Sequence, residues 1–338
     1  MKKIVICILF AICFLTVFYF IQNENQLFEN KKQKVKLNQI SFKNEPIKFY
    51  EFQTKIADGV PIVQIKINNS LFKCIFDTGS SQINLSHKDC KKCNLLDGAY
   101  KEKIKNNEQF IIEYGSQIDT VVEEKAKLIL NKPIEVNVFL TINRKAGMSG
   151  DSNHNVFGAM IPFSKHLKFL KSNYIFCDFH NKNKKIILCN KEFVQPLLKK
   201  TNFVSIKYKP HSYSMPFYIV PIYKIEVNGN KSFFNINQCI IDTGSNQTTF
   251  PEALGKKIMD ALKRSKFNCS MRLYFTKHSF ITLRPSDLFW NQSSFLMIDN
   301  DISALNHRQQ NNSMILGCYN IRNRNFIFGR NYFHIEDN

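Results

Sequence analysis

Glycine and proline are scarce in this chain, at 12 and 10 of 338 residues. That scarcity excludes collagen-like and linker-dominated architectures, and it makes each glycine worth asking about. Tryptophan occurs once. Acidic residues are also few: 27 Asp and Glu face 47 Lys and Arg, for a net charge of +20. The first 55 residues hold nine Lys and four Glu, and the rest of the excess is spread along the chain. There is no Arg-rich arm, zinc-finger spacing or RNA-binding aromatic signature. The charge therefore reads as a solvated, Lys-rich surface, and nucleic acid is not an expected partner. What the chain has in quantity is apolar matter. Hydrophobic residues make up 44% and aromatics 13%, with 31 Phe. That supports a sizeable core and excludes wholesale disorder. The length fits about two domains of ordinary size.

Met1-Lys2-Lys3 precedes an apolar run from Ile4 to Ile21 in which Thr16 is the one polar member. Its 18 residues span about 27 Å as a helix at ~1.5 Å per residue. No small-residue exit site stands before Gln22. Residues 1–21 are read as a signal anchor or a cleaved signal peptide. As an anchor, Lys2 and Lys3 keep the N-terminus cytoplasmic. Both readings place the body in the secretory pathway, either membrane-anchored with a luminal or extracellular domain, or secreted. Residues 22–50 are polar, with Lys31, Lys32, Lys34 and Lys36 clustered, and read as a basic stalk or a short pro-segment. An oxidising compartment permits disulfides among the ten Cys. Cys90-x-x-Cys93 is expected to close a small loop. No second C-x-x-C or paired His completes a zinc site, so no metal is expected. Cys177 and Cys189 flank a polar stretch, and a hairpin centred on Asn183 would set them face to face for a cross-strand bridge.

From about Ile56 short β-rich runs recur. They are Ile62–Ile67, Leu71–Phe76, Phe110–Tyr114, Ile134–Ile142, Tyr174–Phe179 and Lys185–Cys189 in the first half. The second half repeats the texture at Phe203–Tyr208, Phe217–Val227, Phe233–Ile241, Met271–Phe275, Met314–Leu316 and Phe326–Phe328. Turn signals such as Asn228-Gly229 separate them. Helical pattern is sparse and best developed from Pro251 to Lys263, with Leu254, Ile258, Ala261 and Leu262 on one face. The fold class is all-β with a few short helices.

One internal repeat stands out. Cys74-Ile75-Phe76-Asp77-Thr78-Gly79-Ser80-Ser81-Gln82 returns as Cys239-Ile240-Ile241-Asp242-Thr243-Gly244-Ser245-Asn246-Gln247, 165 residues later. With 13 Asp, 11 Thr and 12 Gly, chance predicts about 0.015 Asp-Thr-Gly triplets in a chain of this length. The separation fits two lobes of similar design. In each copy an apolar strand buries an Asp, Gly lets the backbone turn sharply, and the Ser hydroxyl can hydrogen-bond the carboxylate. If the two strand ends meet, Asp77 and Asp242 share a proton, because two touching carboxylates cannot both ionise easily. The ionised member can then take a proton from a trapped water while the protonated one polarises a carbonyl.

On these motifs the chain resembles the pepsin family of aspartic proteases over roughly residues 56–338. The resemblance implies a bilobal fold of two pseudo-symmetric β lobes, at 51–192 and 193–338, around a central cleft. It maps the catalytic pair onto Asp77 and Asp242. The bracing threonines map onto Thr78 and Thr243, with Gly79, Gly244, Ser80 and Ser245 supporting the two loops. Ile112-Glu113-Tyr114-Gly115-Ser116 fits the family's substrate-binding flap, with Tyr114 as its tyrosine and Gly115 beside it. Val156-Phe157-Gly158 and Ile315-Leu316-Gly317 fit the apolar-Gly element beneath each active-site loop.

Three positions depart from the family. Asn84 stands where a Trp usually steadies the flap tyrosine, and Gln117 stands where a Gly usually follows the flap motif. Cys318 stands where pepsin carries an Asp, and the pair is expected to work at less acidic pH than pepsin's. Two sequons, at Asn84 and Asn246, are expected to be inaccessible, the second buried beside the dyad. The expected function is an aspartic endopeptidase without metal or cofactor, acting on extended polypeptides held under the flap. The alternative is a catalytically silent pepsin-like protein that binds peptides or proteins in its cleft. Two motifs in one chain make a dimerising half-enzyme unnecessary, so a monomer is expected. The membrane is a partner through the N-terminal apolar segment if that is uncleaved.

Overall fold

Period-two alternation governs the chain from Tyr50 onward. In Val60–Ile67, Val63, Ile65 and Ile67 are buried while Gln64 and Lys66 face out. The computed structural model describes residues 50–106, 108–114, 117–130, 132–146, 154–160, 167, 173–200, 202–208, 217–229, 231–234, 236–264, 268–290, 293–294, 296–299 and 313–337. The expected signal or anchor at 1–21 and the stalk or pro-segment at 22–50, apart from Tyr50, lie outside these residues. Among the described residues no helix is long and apolar enough to cross a membrane.

The strands of the first half are β1 (Tyr50–Ala57), β2 (Val60–Ile67), β3 (Ser70–Asp77), β4 (Ile83–Ser86), β5 (Gln109–Tyr114), β6 (Gln117–Ile129), β7 (Pro133–Ala146), β8 (Asn155–Gly158), β9 (Tyr174–Asp178) and β10 (Lys185–Cys189). The second half holds β11 (Phe203–Lys207), β12 (Ile219–Pro221), β13 (Lys224–Val227), β14 (Lys231–Phe233), β15 (Gln238–Asp242), β16 (Thr248–Pro251), β17 (Met271–Tyr274), β18 (Phe280–Leu283), β19 (Phe289–Trp290), β20 (Ser293–Ser294), β21 (Leu296–Asp299), β22 (Ser313–Gly317), β23 (Asn325–Phe328) and β24 (Tyr332–Glu336). Tight turns set several registers. Asp58 and Gly59 both have positive φ between β1 and β2, as do Asn228 and Gly229 between β13 and β14. The first is the two-residue turn whose twist suits a tight hairpin, and the second belongs to a three-residue connection, since Val227 pairs with Lys231.

One sheet of 13 strands runs β11-β24-β23-β9-β10-β1-β2-β3-β8-β4-β7-β6-β5. Strands from both halves of the chain share it: β23 pairs with β9 from Asn325↔Asp178 to Phe328↔Ile175. Residues on either side of the expected boundary at 192/193 thus join one sheet, and 47–338 forms one compact unit. A five-stranded sheet, β12-β15-β22-β16-β21, carries the second repeat, and a four-stranded one, β14-β13-β17-β18, lies in the same half. The phenylalanines fill the core, with Phe326, Phe328 and Phe333 in mutual contact and Tyr218 packed on Phe328 at 4.6 Å between ring centres.

Helices are few. α1 (Lys191–Lys200) contains Pro196 and was not foreseen in the pattern. Its first turn is capped by the Asn190 carboxamide oxygen, which accepts from Phe193 N. α2 (Glu252–Arg264) buries Leu254, Ile258, Ala261 and Leu262, the face its spacing predicts. α3 (Pro285–Leu288) is one turn.

Cys90 and Cys93 form the expected disulfide. Cys177 and Cys189 do not pair. Cys177 lies opposite Ile186 and Cys189 opposite Tyr174, so the hairpin turns between Asn181 and Lys182, short of Asn183. The two thiols are free and buried.

Candidate active site

The two copies of the repeat fold alike. β3 runs parallel to β8, with Asp77 opposite Gly158, and β15 runs parallel to β22, with Asp242 opposite Gly317. In each case a short strand crosses antiparallel to the glycine-bearing one: Ile83 faces Phe157, and Thr249 faces Ile315. Both aspartates therefore leave the C-terminal end of an apolar, mostly buried strand.

The two loops lock together reciprocally. Thr78 N donates to Thr243 Oγ1 at 3.0 Å, and Thr243 N donates to Thr78 Oγ1 at 3.0 Å. Each hydroxyl then donates across to the opposite strand, Thr78 to Ile241 O at 3.2 Å and Thr243 to Phe76 O at 2.6 Å. Both threonines are fully buried. Four buried polar groups are thus satisfied only when both loops are in place.

This lock brings Asp77 and Asp242 side by side, each carboxylate lying against the glycine of the other loop. Each carboxylate is held by its own loop. Gly79 N donates to Asp77 Oδ1 at 2.7 Å and Ser80 Oγ to Asp77 Oδ2; Gly244 N donates to Asp242 Oδ1 and Ser245 Oγ to Asp242 Oδ2, both at 2.9 Å. The glycines are required by the close approach. A Cβ on Gly79 would lie 2.8 Å from Asp242 Oδ1, and one on Gly244 would collide with Asp77 Oδ1. Burial first, then the Asp242 charge, pushes Asp77 well above the usual carboxylate range, against the opposing pull of Ser80 and Gly79. Asp77 is thus the carboxyl that favours its protonated form.

Beneath the second loop, Cys318 N donates to Ser245 O at 2.8 Å. Burial, followed by the Asp242 charge, pushes the Cys318 thiol far above its ordinary value. It stays neutral and adds no charge to the pair.

β5 and β6 form the expected hairpin, pairing from Gln109↔Val122 to Tyr114↔Gln117. Gly115 lies outside the described residues. Tyr114 is pushed up chiefly by burial, with the Asp77 charge among the contributors, so its hydroxyl is neutral and within electrostatic reach of the dyad. The structure gives Asn84 a role that the sequence comparison left empty: its Nδ2 donates to the Tyr114 hydroxyl at 3.3 Å. Asn84 is wholly buried, as its inaccessible sequon requires. Asn246, expected to be buried, is exposed. The loop turns its side chain outward after Ser245, toward Gly59, where a built Cβ would meet Asn246 Cβ at 3.1 Å.

Asp119, Thr141 and Arg144, which surround Asn84, carried no signal in the sequence. An Asp and an Arg 25 residues apart reveal a pair only once the strands are registered. Among the described residues no cluster of His, Cys, Asp and Glu could hold a metal ion. Comparison with family models and with curated proteins finds no match for this chain.

Proposed function

We propose that the chain is an aspartic endopeptidase of pepsin type, two pseudo-symmetric β lobes around a cleft, that hydrolyses peptide bonds between Asp77 and Asp242. The observation that supports this most is the reciprocal Thr78–Thr243 lock, which holds the buried Asp77 and the half-buried Asp242, each hydrogen-bonded by its own loop, side by side. Such a pair has one proton to give and one site to receive.

In this mechanism a water sits between the carboxylates. Asp242 takes its proton as the water oxygen adds to the scissile carbonyl carbon. Asp77 gives its proton to the carbonyl oxygen, yielding a neutral diol. The C–N bond then breaks. Asp242 returns its proton to the departing nitrogen, and Asp77 recovers one from a diol hydroxyl. Both carboxylates end as they began, and no covalent intermediate or cofactor is needed. The substrate is an extended polypeptide under the β5–β6 hairpin, held by backbone hydrogen bonds. Residues 1–21 would carry this cleft across a membrane, as an anchor or as a cleaved signal.

The test is peptide cleavage by the purified chain with and without pepstatin, beside Asp77→Ala and Asp242→Ala. Each substitution should lower turnover by about 10²–10⁴-fold or more, since it removes a general acid or base. Folded wild type that binds pepstatin without cleaving peptides would establish the silent binding protein instead.

A further inference from the structure

The hairpin that carries Tyr114 rests on a buried charged network. A bulge makes it. Between β6 and β7, Thr120 pairs with Asn143 but Val121 pairs with Thr141, so Ile142 is the extra residue. A bulge re-aims the side chains beyond it. Below it the inward residues are apolar: Val122, Ala126 and Leu128 on β6, and Val136, Val138 and Leu140 on β7. At the bulge Thr141, and above it Gln117, Asp119 and Arg144, are buried, each no more than 3% exposed.

These groups converge on Asn84. Arg144 donates from Nε to Asp119 Oδ1 at 2.7 Å and from Nη2 to Asp119 Oδ2 at 2.9 Å. Asp119 Oδ2 also accepts from Asn84 Nδ2 at 2.7 Å, from Thr141 Oγ1 at 3.0 Å and from Gln117 Nε2 at 3.1 Å. Thr141 Oγ1 lies closer, at 2.7 Å, to Asn84 Oδ1, and its single proton goes to one of these two acceptors. The carboxamide has one orientation that fits: its oxygen toward a hydroxyl, its NH₂ toward a carboxylate. The second N–H is then aimed at the Tyr114 oxygen. Because that hydroxyl accepts from Asn84, its own proton is available to another acceptor.

We propose that Asn84 is a positioning residue for Tyr114: the Arg144–Asp119 pair fixes its carboxamide, which holds the tyrosine so that its hydroxyl proton is offered to a carbonyl of a peptide in the cleft. The inference rests on the proteolytic reading for the identity of that acceptor. An amide N–H anchored to a buried ion pair thereby stands at the place where the family this chain resembles usually has a Trp. Asn84→Ala tests it, because Asp119 keeps Arg144, Thr141 and Gln117 and the fold retains its charge pairing.

The experiment is a double-mutant cycle of Asn84→Ala and Tyr114→Phe on the full chain. It reads kcat and KM for peptide cleavage, with amide hydrogen exchange over 109–122 alongside. Asn84→Ala alone should lower kcat/KM by about tenfold, the scale of one hydrogen bond to a reacting complex. In the Tyr114→Phe background it should lower it less than about twofold, because the group it acts through is gone. Exchange in the hairpin should speed up in Asn84→Ala. Additive effects in the cycle with unchanged exchange overturn the proposal. A folded wild type without turnover overturns the proteolytic reading; the exchange arm then decides whether Asn84 holds the hairpin.

Discussion

Asp77 is 7% exposed and lies beside the Asp242 charge, so its neutral form is favoured in the fold. Its pKa is raised on folding. Its contribution to stability is full below the ordinary carboxylate value of about 3.9 and is lost as pH rises through its folded value. Asp77→Asn removes that dependence. Its melting temperature should fall less than wild type's between about pH 4 and neutrality, even though turnover is lost. His334 acts in the opposite sense. Burial lowers it to about 4, and Ser205 Oγ lies 2.8 Å from its Nδ1. A depressed His contributes stability above its ordinary value of about 6.5, lost as pH falls toward the folded value. The loss is at most about 3.5 kcal/mol, at ~1.4 per pKa unit. His334→Gln should therefore flatten the stability profile between those two values, measured by denaturant titration at several pH values. The neutral Cys318 thiol adds no charge to the dyad, so its upward shift owes to burial and the paired carboxylate.

At the scale of elements, the Thr78–Thr243 lock is the joint on which the site depends. Thr243→Val keeps the shape but strands Thr78 N and Phe76 O, at roughly 1–3 kcal/mol for each buried group. Thr243→Ser keeps the hydroxyl. Thermal denaturation should show a large loss for the first and a small one for the second, with turnover following the same order. The two Asp-Thr-Gly-Ser loops were legible in the sequence as a repeat, because Asp, Thr, Gly and Ser themselves make the hydrogen bonds and the close approach. So was α2, whose apolar residues fall on one face. Other elements were hidden for physical reasons. β6 alternates toward one face up to Val121 and toward the other from Val122, so its 13 residues show no single period. Pro196 interrupts the pattern of α1, although Asn190 caps it. The β9–β10 hairpin was placed, but its turn was misjudged, and a shift of a few residues in register separates Cys177 from Cys189. Asn84 was noticed as a missing Trp; its partners come from β6 and β7, which only the register brings together.

On the whole molecule, the described residues join the first half of the chain to the second at the two Asp-Thr-Gly loops, in the sheet where β23 meets β9, and where Tyr218 Oη donates to Ala159 O. Unfolding should therefore be cooperative across 47–338. The free cysteines Cys74, Cys177, Cys189, Cys239, Cys269 and Cys318 are buried and pushed up by that burial, so none presents a thiolate. Alkylation of the native chain should leave them unmodified, and denaturant should expose them in a single transition. The proposed chemistry depends on one proton shared between two halves of that unit. The most direct measurement is the pH dependence of kcat/KM for peptide cleavage by the purified chain, from about pH 2 to 7, with Asp77→Ala as control. The account predicts a bell whose falling limb lies above the ordinary carboxylate value, and no activity in the control. A rate that peaks at about pH 2 and has vanished by about pH 4, or turnover that survives Asp77→Ala, would contradict it.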